Sequence, residues 1–287
     1  MKTRRIGMKD YFEYAGKICV VTGAASGMGR AACEMLLELG AKVYAMDVAE
    51  ITLPVERSIQ TNIADRESID QAFAQIPDVI DCFFGIAGVS GVKTDFKTTC
   101  MINFIGHKYM TEQYVLPRMK KGGAIAFMGS RGGKGWRTTI EEYRAIVEAA
   151  DWEASVACLD EAAAKAEQKG YGDMAGLKGY YFSKRMMNFY VKYMTQRLAL
   201  QGIRINIICP GATQTQLTAE WESVMSHDQM KGKSKLRFAQ PEEMAMPIVF
   251  MNSNMASYIS GIDLAVDFGQ KGSEDYATPL LPADPIL

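Results

Sequence analysis

The apolar positions fall into short β-branched runs that alternate with stretches of helical period. Lys17 to Val21 (KICVV) reads as a strand that stops at Thr22-Gly23, and a helical pattern starts near Gly27 with Ala31, Met35, Leu36 and Leu39 on one face. Lys42 to Met46 (KVYAM) is a second strand ending at Asp47. This first βαβ unit closes within about 30 residues, the usual length of such a crossover. The same alternation predicts strands at Ser58 to Asn62, Val79 to Ile86 and Ala124 to Gly129, and helices at Arg66 to Gln75 and Phe96 to Met119. Farther along come a helix from about Met174 to Leu200, a strand at Ile203 to Cys209, a loop and helix reaching about Met230, a helix at Pro241 to Asn252 and a strand at Asp263 to Val266. Strands alternating with helices imply a parallel sheet covered on both faces. The expectation is a Rossmann-type, doubly wound α/β fold with seven strands, in one domain over 1–287.

One stretch breaks the rhythm. Arg131 to Trp136 is basic and Gly-rich, and Glu141 to Gln168 is rich in Ala and Glu with almost no β-branched residues, which predicts a helical insertion over about 131–173. The tail 272–287 holds three prolines and is expected to be extended.

Composition narrows the class of function. The chain is 48% hydrophobic over 287 residues, ample for one large core, and 32 Lys+Arg against 33 Asp+Glu leave a net charge of −1. With no field to attract a polyanion, nucleic-acid binding is not expected. The six cysteines form no C-x-x-C pair and sit mostly in apolar runs, as reduced core thiols do, so no metal site is expected. The basic start is not followed by the apolar stretch of a signal peptide, and no apolar run approaches a membrane span, which predicts a soluble cytoplasmic protein without membrane insertion.

Chemistry is suggested first by TGAASGMG. Its glycines 23, 27 and 29 lie between a strand and a helix, where the missing side chains let backbone N–H groups and the helix dipole approach a pyrophosphate. Tight strand-to-helix turns also favour glycine, so the loop needs context. Asp47 supplies it: at the end of the second strand, its carboxylate would accept hydrogen bonds from an adenosine ribose and repel a 2′-phosphate. Neither Val48 nor Ala49 offers a compensating cation, which favours NAD(H) over NADP(H); the alternative is that Asp47 merely closes a turn.

Tyr180 and Lys184 are four apart on a helix and share a face, and Ser130 follows a strand ending at the same edge. Taking a proton from an alcohol while hydride leaves its carbon needs a base, and a free tyrosine has a pKa of about 10. A lysine cation at about 4 Å is worth on the order of 4 kcal/mol at an effective dielectric near 20, enough to bring the phenolate within reach. Ser130 would donate to the substrate oxygen. Asn103, in a buried helix facing the same crevice, could anchor a water relaying protons to Lys184, or could be a surface amide. His107 and His227, the only histidines, lie far apart and read as structural, which leaves a hydrolase triad without support.

TGAASGMG, the pair Ala87-Gly88, Asn103 in NFIG, Ser130, YYFSK (180–184) and NIICPGATQT (206–215) together, and in this order, resemble the short-chain dehydrogenase/reductase superfamily from about Lys17 to Gly269. PGATQTQL, VLPRMKKG and QPEEMAMPIVFMNSNMASYISG look most like its bacterial 3α-hydroxysteroid dehydrogenase/carbonyl reductase group. The resemblance implies Tyr180 as general acid/base, Lys184 lowering its pKa and holding the nicotinamide ribose, Ser130 polarising the carbonyl and Asn103 completing a tetrad. It implies cofactor contacts at Gly23, Ser26, Gly27, Met28, Gly29 and Asp47, an adenine pair Asn62 and Ile63, a floor at Ala87 and Gly88, and a carboxamide-side segment at Pro210, Gly211, Thr213 and Thr215. Two positions depart from the family pattern. Asn62 replaces an acidic residue while still offering an acceptor, and Gly85-Ile86-Ala87-Gly88 replaces Asn-Asn-Ala-Gly.

Leu217, Trp221, Val224, Met225 and Met230 recur at helical spacing and suggest an apolar lid, matched to a small apolar alcohol or ketone such as a hydroxysteroid or bile acid. An aromatic or terpenoid alcohol would use the same catalytic groups, and a non-catalytic NAD sensor could share the fold. The helices 96–119 and 174–200 are those through which the family assembles, which implies a homo-oligomer, dimer or tetramer, whose interface the insertion partly covers. Met186, Met187, Phe189, Tyr190, Tyr193 and Met194 are expected in the core or at such a contact.

Overall fold

In the computed structural model, which describes residues 11–168, 170, 175–231 and 237–277, seven strands form one parallel sheet. They are β1 (Ile18–Thr22), β2 (Lys42–Asp47), β3 (Arg57–Gln60), β4 (Ile80–Gly85), β5 (Met119–Met128), β6 (Arg204–Pro210) and β7 (Asp263–Val266). Their order is β3-β2-β1-β4-β5-β6-β7. The chain therefore winds outward from β1 in one direction and returns to its other side with β4. Parallel strands flanking such a reversal leave a crevice at their carboxyl ends, where ligands bind in this architecture.

Alternation along each central strand feeds two cores. In β1, Cys19 and Val21 face one side with Phe84 of β4 and the helices Gly27–Glu38 and Pro241–Asn252, while Val20 faces the other with Phe83, Phe127 and Tyr190. Burial on both faces explains why the central strands are apolar throughout. All six cysteines are free thiols, five buried and Cys158 half-buried. Among the described residues no helix is long and apolar enough to cross a membrane, and no group of three or more His, Cys, Asp or Glu is placed to hold a metal.

The helix over 96–118 is continuous but not uniform. Its α-helical parts, Phe96–Cys100, Gly106–Tyr109 and Leu116–Arg118, are separated by wider π-helical turns at Met101–Ile105 and Met110–Val115, the first of which carries Asn103. Gly106 lies on the Ile63 carbonyl, where a Cβ would come within 2.0 Å. β5 begins at Met119, five residues before the apolar run that announced it, because Met119 already pairs with Ile80 and the polar Lys120 to Gly123 form an irregularity between that pair and Cys82–Ala124.

The insertion is helical as expected, with helices Arg144–Glu148 and Trp152–Gln168 after three 3-10 turns. It lies against the outer side of the 96–118 helix. Trp152 meets Tyr109 edge-on at 5.2 Å, and the buried ammonium of Lys108 donates to the Ala149 carbonyl at 2.7 Å and to Glu112 at 2.8 Å. Arg66 pairs with Glu153 and Lys97 with Asp160 across the same seam. On the helix Ala175–Ala199, Met186, Met187, Phe189, Tyr190 and Met194 are buried within the subunit, and Tyr193 alone of that set stays exposed. The tail is not extended from its start. Gln270–Ala277 is a helix, anchored by Asp267, whose Oδ2 accepts from Lys271 N at 2.8 Å; 278–287 lie outside the described residues.

Candidate active site

A cleft of about 910 Å3 runs across the carboxyl ends of β1, β2, β4, β5 and β6, from Asp47 to Trp221. Its floor is made by glycines that nothing larger could replace. At Gly29 a Cβ would lie 1.9 Å from the Gly23 carbonyl oxygen, and Gly23, at φ +73°, would press one to 2.8 Å from Ala87 Cα. The helix can thus start directly against the end of β1. Ser26 is its N-cap, yet its side chain caps nothing, so the first-turn N–H groups of Gly27, Met28 and Gly29 remain available to an anion in the cleft. This cradle fits a dinucleotide pyrophosphate.

At the far end of the cradle, Asp47 Oδ2 accepts from Ala25 N and Oδ1 from Ala49 N, both at 2.9 Å. These bonds hold the carboxylate and leave each oxygen a lone pair for a ribose hydroxyl. It therefore closes a turn and faces the cleft at once. The neighbouring lining residues, Met46, Val48, Ala49, Thr61, Asn62 and Ile63, include no cation. Asn62 Oδ1 accepts from Ala64 N at 3.0 Å, so the acceptor expected for adenine is partly spent and its NH2 donors are what remain.

The departure at Gly85 has a steric cause. A Cβ there would come 2.4 Å from the Phe127 ring and 2.9 Å from that of His107. His107 lies beneath, its Nε2 3.2 Å from Thr22 Oγ1, and Thr22 Oγ1 in turn accepts from Ile86 N at 3.0 Å and Ala87 N at 3.1 Å. Burial, helped by the charge on Lys184, pushes His107 down to about 3, so it is neutral and structural. Next in the chain, Gly88 faces Asn103 Oδ1 and Lys184 Nζ, which would lie 3.0 Å and 3.6 Å from a Cβ.

Asn103 is buried and makes three hydrogen bonds. Its Nδ2 donates to the Val89 carbonyl at 3.1 Å and to Ser183 Oγ at 3.2 Å, and its Oδ1 accepts from Val89 N at 2.8 Å. The side chain ties the β4 loop to the helix Ala175–Ala199. Only one lone pair of Oδ1 is left for the relay water expected of it, which makes Asn103 a positioning residue first.

Tyr180 and Lys184 rise from that helix beside Ser130, as their spacing predicts. Ser130 Oγ accepts from Gly132 N at 2.9 Å, which frees its proton to be donated into the cleft. Lys184 Nζ donates to the Met128 carbonyl at 2.9 Å and lies 5.7 Å from the centre of the Tyr180 ring. The electrostatics differ from expectation here. Burial raises the Tyr180 phenol to about 12, a side-chain hydrogen bond with Ser130 acting against it, and burial lowers the Lys184 ammonium to about 8. One of the three N–H groups of the ammonium is used by the Met128 carbonyl, two remain for a ligand, and burial is the largest cause of the shift at both residues.

On the opposite wall Pro210 ends β6 and Gly211 follows it, Gly211 N donating to the Val266 carbonyl at 2.9 Å. Thr213 is bridged to Ala239, and Thr215 caps the helix Gln216–Trp221 opposite Gly27. The expected lid is two short helices, Gln216–Trp221 and His227–Lys231, and Leu217, Trp221, Met225 and Met230 line the cleft. Val224 instead points outward, 53% exposed. Trp221 stands edge-on to Tyr180 at 5.0 Å and to Tyr181 at 6.1 Å. Sequence reasoning overlooked the fastening: Trp221 Nε1 donates to the Ser90 carbonyl at 3.3 Å, Ser90 Oγ donates to Glu220 at 2.5 Å, and Lys93 pairs with Glu220 at 3.0 Å. Nor did it select Tyr181 or Arg185, which line the cleft one turn apart. Each follows a member of the Tyr180–Lys184 pair by one residue on the same helix, which is the signal the sequence carries for them.

Known proteins resemble the chain along most of its length. Residues 17–146 match the short chain dehydrogenase family model and residues 153–271 the model described as enoyl-(acyl carrier protein) reductase. Coniferyl-alcohol dehydrogenase of Pseudomonas sp. (strain HR199 / DSM 7063) is 28% identical over 260 residues, covering 90% of this chain and 97% of that protein. The 3-alpha-hydroxysteroid dehydrogenase/carbonyl reductase of Comamonas testosteroni is 24% identical over 259 residues, covering 88% and 95%. The crystal structure of 3-alpha-hydroxysteroid dehydrogenase from Pseudomonas sp. B-0831 complexed with NADH shares the fold, with a TM-score of 0.73 at 21% identity over 91% of this chain and 100% of that one. The two family models follow each other along one sheet that carries the glycine cradle and the Tyr180–Lys184 pair, and the chain belongs to the short-chain dehydrogenase/reductase superfamily of nicotinamide-dependent oxidoreductases.

Proposed function

We propose that the protein is an NAD(H)-dependent dehydrogenase that interconverts a secondary alcohol and a ketone, with a hydroxysteroid or bile acid as substrate. The observation that carries this reading is the meeting of Tyr180, Ser130 and Lys184 on one cleft with the glycine cradle. The cofactor, when bound, supplies or accepts the hydride. The N–H groups of Gly27 to Gly29 hold its pyrophosphate and Asp47 its adenosine ribose; the lack of a cation beside Asp47 favours NAD(H) over NADP(H). Lys184 holds the nicotinamide ribose.

For reduction, Tyr180 delivers its phenolic proton to the carbonyl oxygen while Ser130 donates a hydrogen bond to the same atom, stabilising the charge that develops there. A phenol held at about 12 rests protonated and is ready for this direction. For oxidation, it must first lose its proton, so this direction is favoured by rising pH. Leu217, Trp221, Met225 and Met230 give the substrate end an apolar wall suited to a multi-ring body. A second reading, an aromatic alcohol dehydrogenase, is favoured by the Tyr180–Trp221–Tyr181 ring cluster and by the coniferyl-alcohol relative. For assembly we propose a homo-oligomer, tested by light scattering, in which a monomer at micromolar concentration refutes it.

The test follows NADH absorbance with NAD and NADP in parallel against hydroxysteroids, bile acids and aromatic alcohols. Steroid-dependent NAD reduction that drops by about 10²–10⁴ in Tyr180→Phe, with NADH binding retained, supports the first reading. Turnover of aromatic alcohols alone selects the second.

A further inference from the structure

Three cations stand at the insertion side of the cleft: Arg131, Lys134 and Arg185. Two are matched. Arg131 meets Asp267 at 3.6 Å and Glu274 at 2.5 Å, and Lys134 meets the other oxygen of Glu274 at 2.5 Å. Arg185 makes no hydrogen bond or ion pair with any described residue, and its Nε is buried without a partner. It lies four residues beyond Tyr181, one turn along the same face of the helix. With Nε buried and unpaired and the half-buried residue lining the cleft, the guanidinium has no fixed counter-charge, which an anion brought into the cleft would supply.

We propose that Arg185 is the specificity-determining residue for an acidic group on the substrate, so that the cleft takes an apolar alcohol or ketone bearing a carboxylate. This rests on the reading of the cleft as the substrate site of an alcohol dehydrogenase and narrows it. The hydroxyl or carbonyl oxygen of the reacting carbon lies between Tyr180 and Ser130, the apolar body lies along Tyr181, Trp221 and Met225, and the acid meets the guanidinium. The planar fork of one arginine pairs bidentately with one carboxylate, and the single unmatched charge at this end suits a monoanion. Glu220, the lining carboxylate of the fastening, has its charge offset by Lys93 and accepts from Ser90, which reduces its repulsion of such a substrate.

The test is calorimetric binding to the full chain saturated with NADH, in which an alcohol binds but cannot turn over. Two pairs are compared: a 3α-hydroxy bile acid with its methyl ester, and 4-(hydroxymethyl)benzoate with its methyl ester. In at least one pair the acid is expected to bind about tenfold or more tightly than the ester, as a charge-assisted bidentate contact would make it. Arg185→Met should erase that difference by weakening the acid alone, Arg185→Lys should restore part of it, and NADH affinity should stay the same in both variants. Equal binding of acid and ester, an equal loss for both in Arg185→Met, or no binding of either acid overturns the proposal. Failure of the steroid reading looks different: the bile acid pair is then silent in binding and turnover while the benzoate pair carries the Arg185-dependent ratio. Turnover of the steroids with no acid preference would keep that reading and remove this one.

Discussion

At the Asp47 end of the cleft the surface is mostly backbone: glycines 23, 27, 29 and 88, first-turn N–H groups, and side chains such as Asp47 and Asn62 already fixed by main-chain donors. At the Trp221 end the walls are side chains, brought together from the loop after β4, the start of the insertion, the tyrosine helix and the two short helices after β6. The first end leaves little freedom, because a wrong atom collides with a carbonyl; the second could be rebuilt residue by residue without disturbing the sheet. A conserved cofactor with a variable substrate is the division of labour such a cleft permits, and Tyr180, Ser130 and Lys184 stand at the junction.

That junction should give the largest response. Lys184 is buried with its ammonium pushed down to about 8 from 10.5, so the folded chain holds this proton less tightly than the unfolded one. Between those two values the unfolded state binds more protons, and stability rises with pH. Set against Lys184→Met, the wild type should therefore gain on the order of 3 kcal/mol as pH climbs from below 8 to above 10.5. Urea unfolding of both proteins across that range checks it; parallel pH curves would mean that the ammonium is solvated rather than desolvated.

Gly29→Ala probes the backbone end alone. The added methyl meets the Gly23 carbonyl at 1.9 Å, with no flexible group to yield, and overpacking of this kind costs about 1–3 kcal/mol. The melting temperature should fall and NADH affinity with it. Trp221→Ala probes the other end: it removes the edge-on contact with Tyr180, worth about 0.5–1.5 kcal/mol, and should raise substrate KM about two- to tenfold without changing NADH affinity. Val224→Ala, one turn away and outward-facing, should change neither. If Trp221→Ala weakened NADH and Gly29→Ala spared it, the separation of the two ends would be wrong.

The same contrast explains what could be read from the chain. The succession of strands and helices, the glycine loop, Asp47 at a strand end and the Tyr180–Lys184 spacing obey local rules of period and spacing, so they could be read before any contact was known. The upward pKa shift of Tyr180 and the downward shift of Lys184 could not, since spacing suggests attraction between the two while burial, the larger cause at both, follows only from the folded environment. Ser90, Glu220 and Arg185 carry no motif; their meaning comes from partners more than a hundred residues away or from having none. The first strand residues of β5 and the helix Gln270–Ala277 were hidden by polar sequence whose structure depends on Ile80 and Asp267.

Asn62→Asp asks whether the backbone end tolerates even an exchange of donor for acceptor. An aspartate keeps the oxygen that accepts from Ala64 N, so the turn should survive unchanged. What changes is the outward half of the side chain, from an NH2 donor to a second acceptor with a charge, at an exposed position where water screens it. A single exposed hydrogen bond exchanged in this way is worth about 0.5–1.5 kcal/mol, so NAD affinity should move by about two- to tenfold, upward if an adenine donor faces this position. Turnover at saturating cofactor should not move at all, because neither Tyr180 nor the Trp221 wall touches Asn62. A change in turnover would show that the adenine end and the reacting end communicate, for which the close contact of the Ile63 carbonyl with Gly106 on the Asn103 helix offers a route.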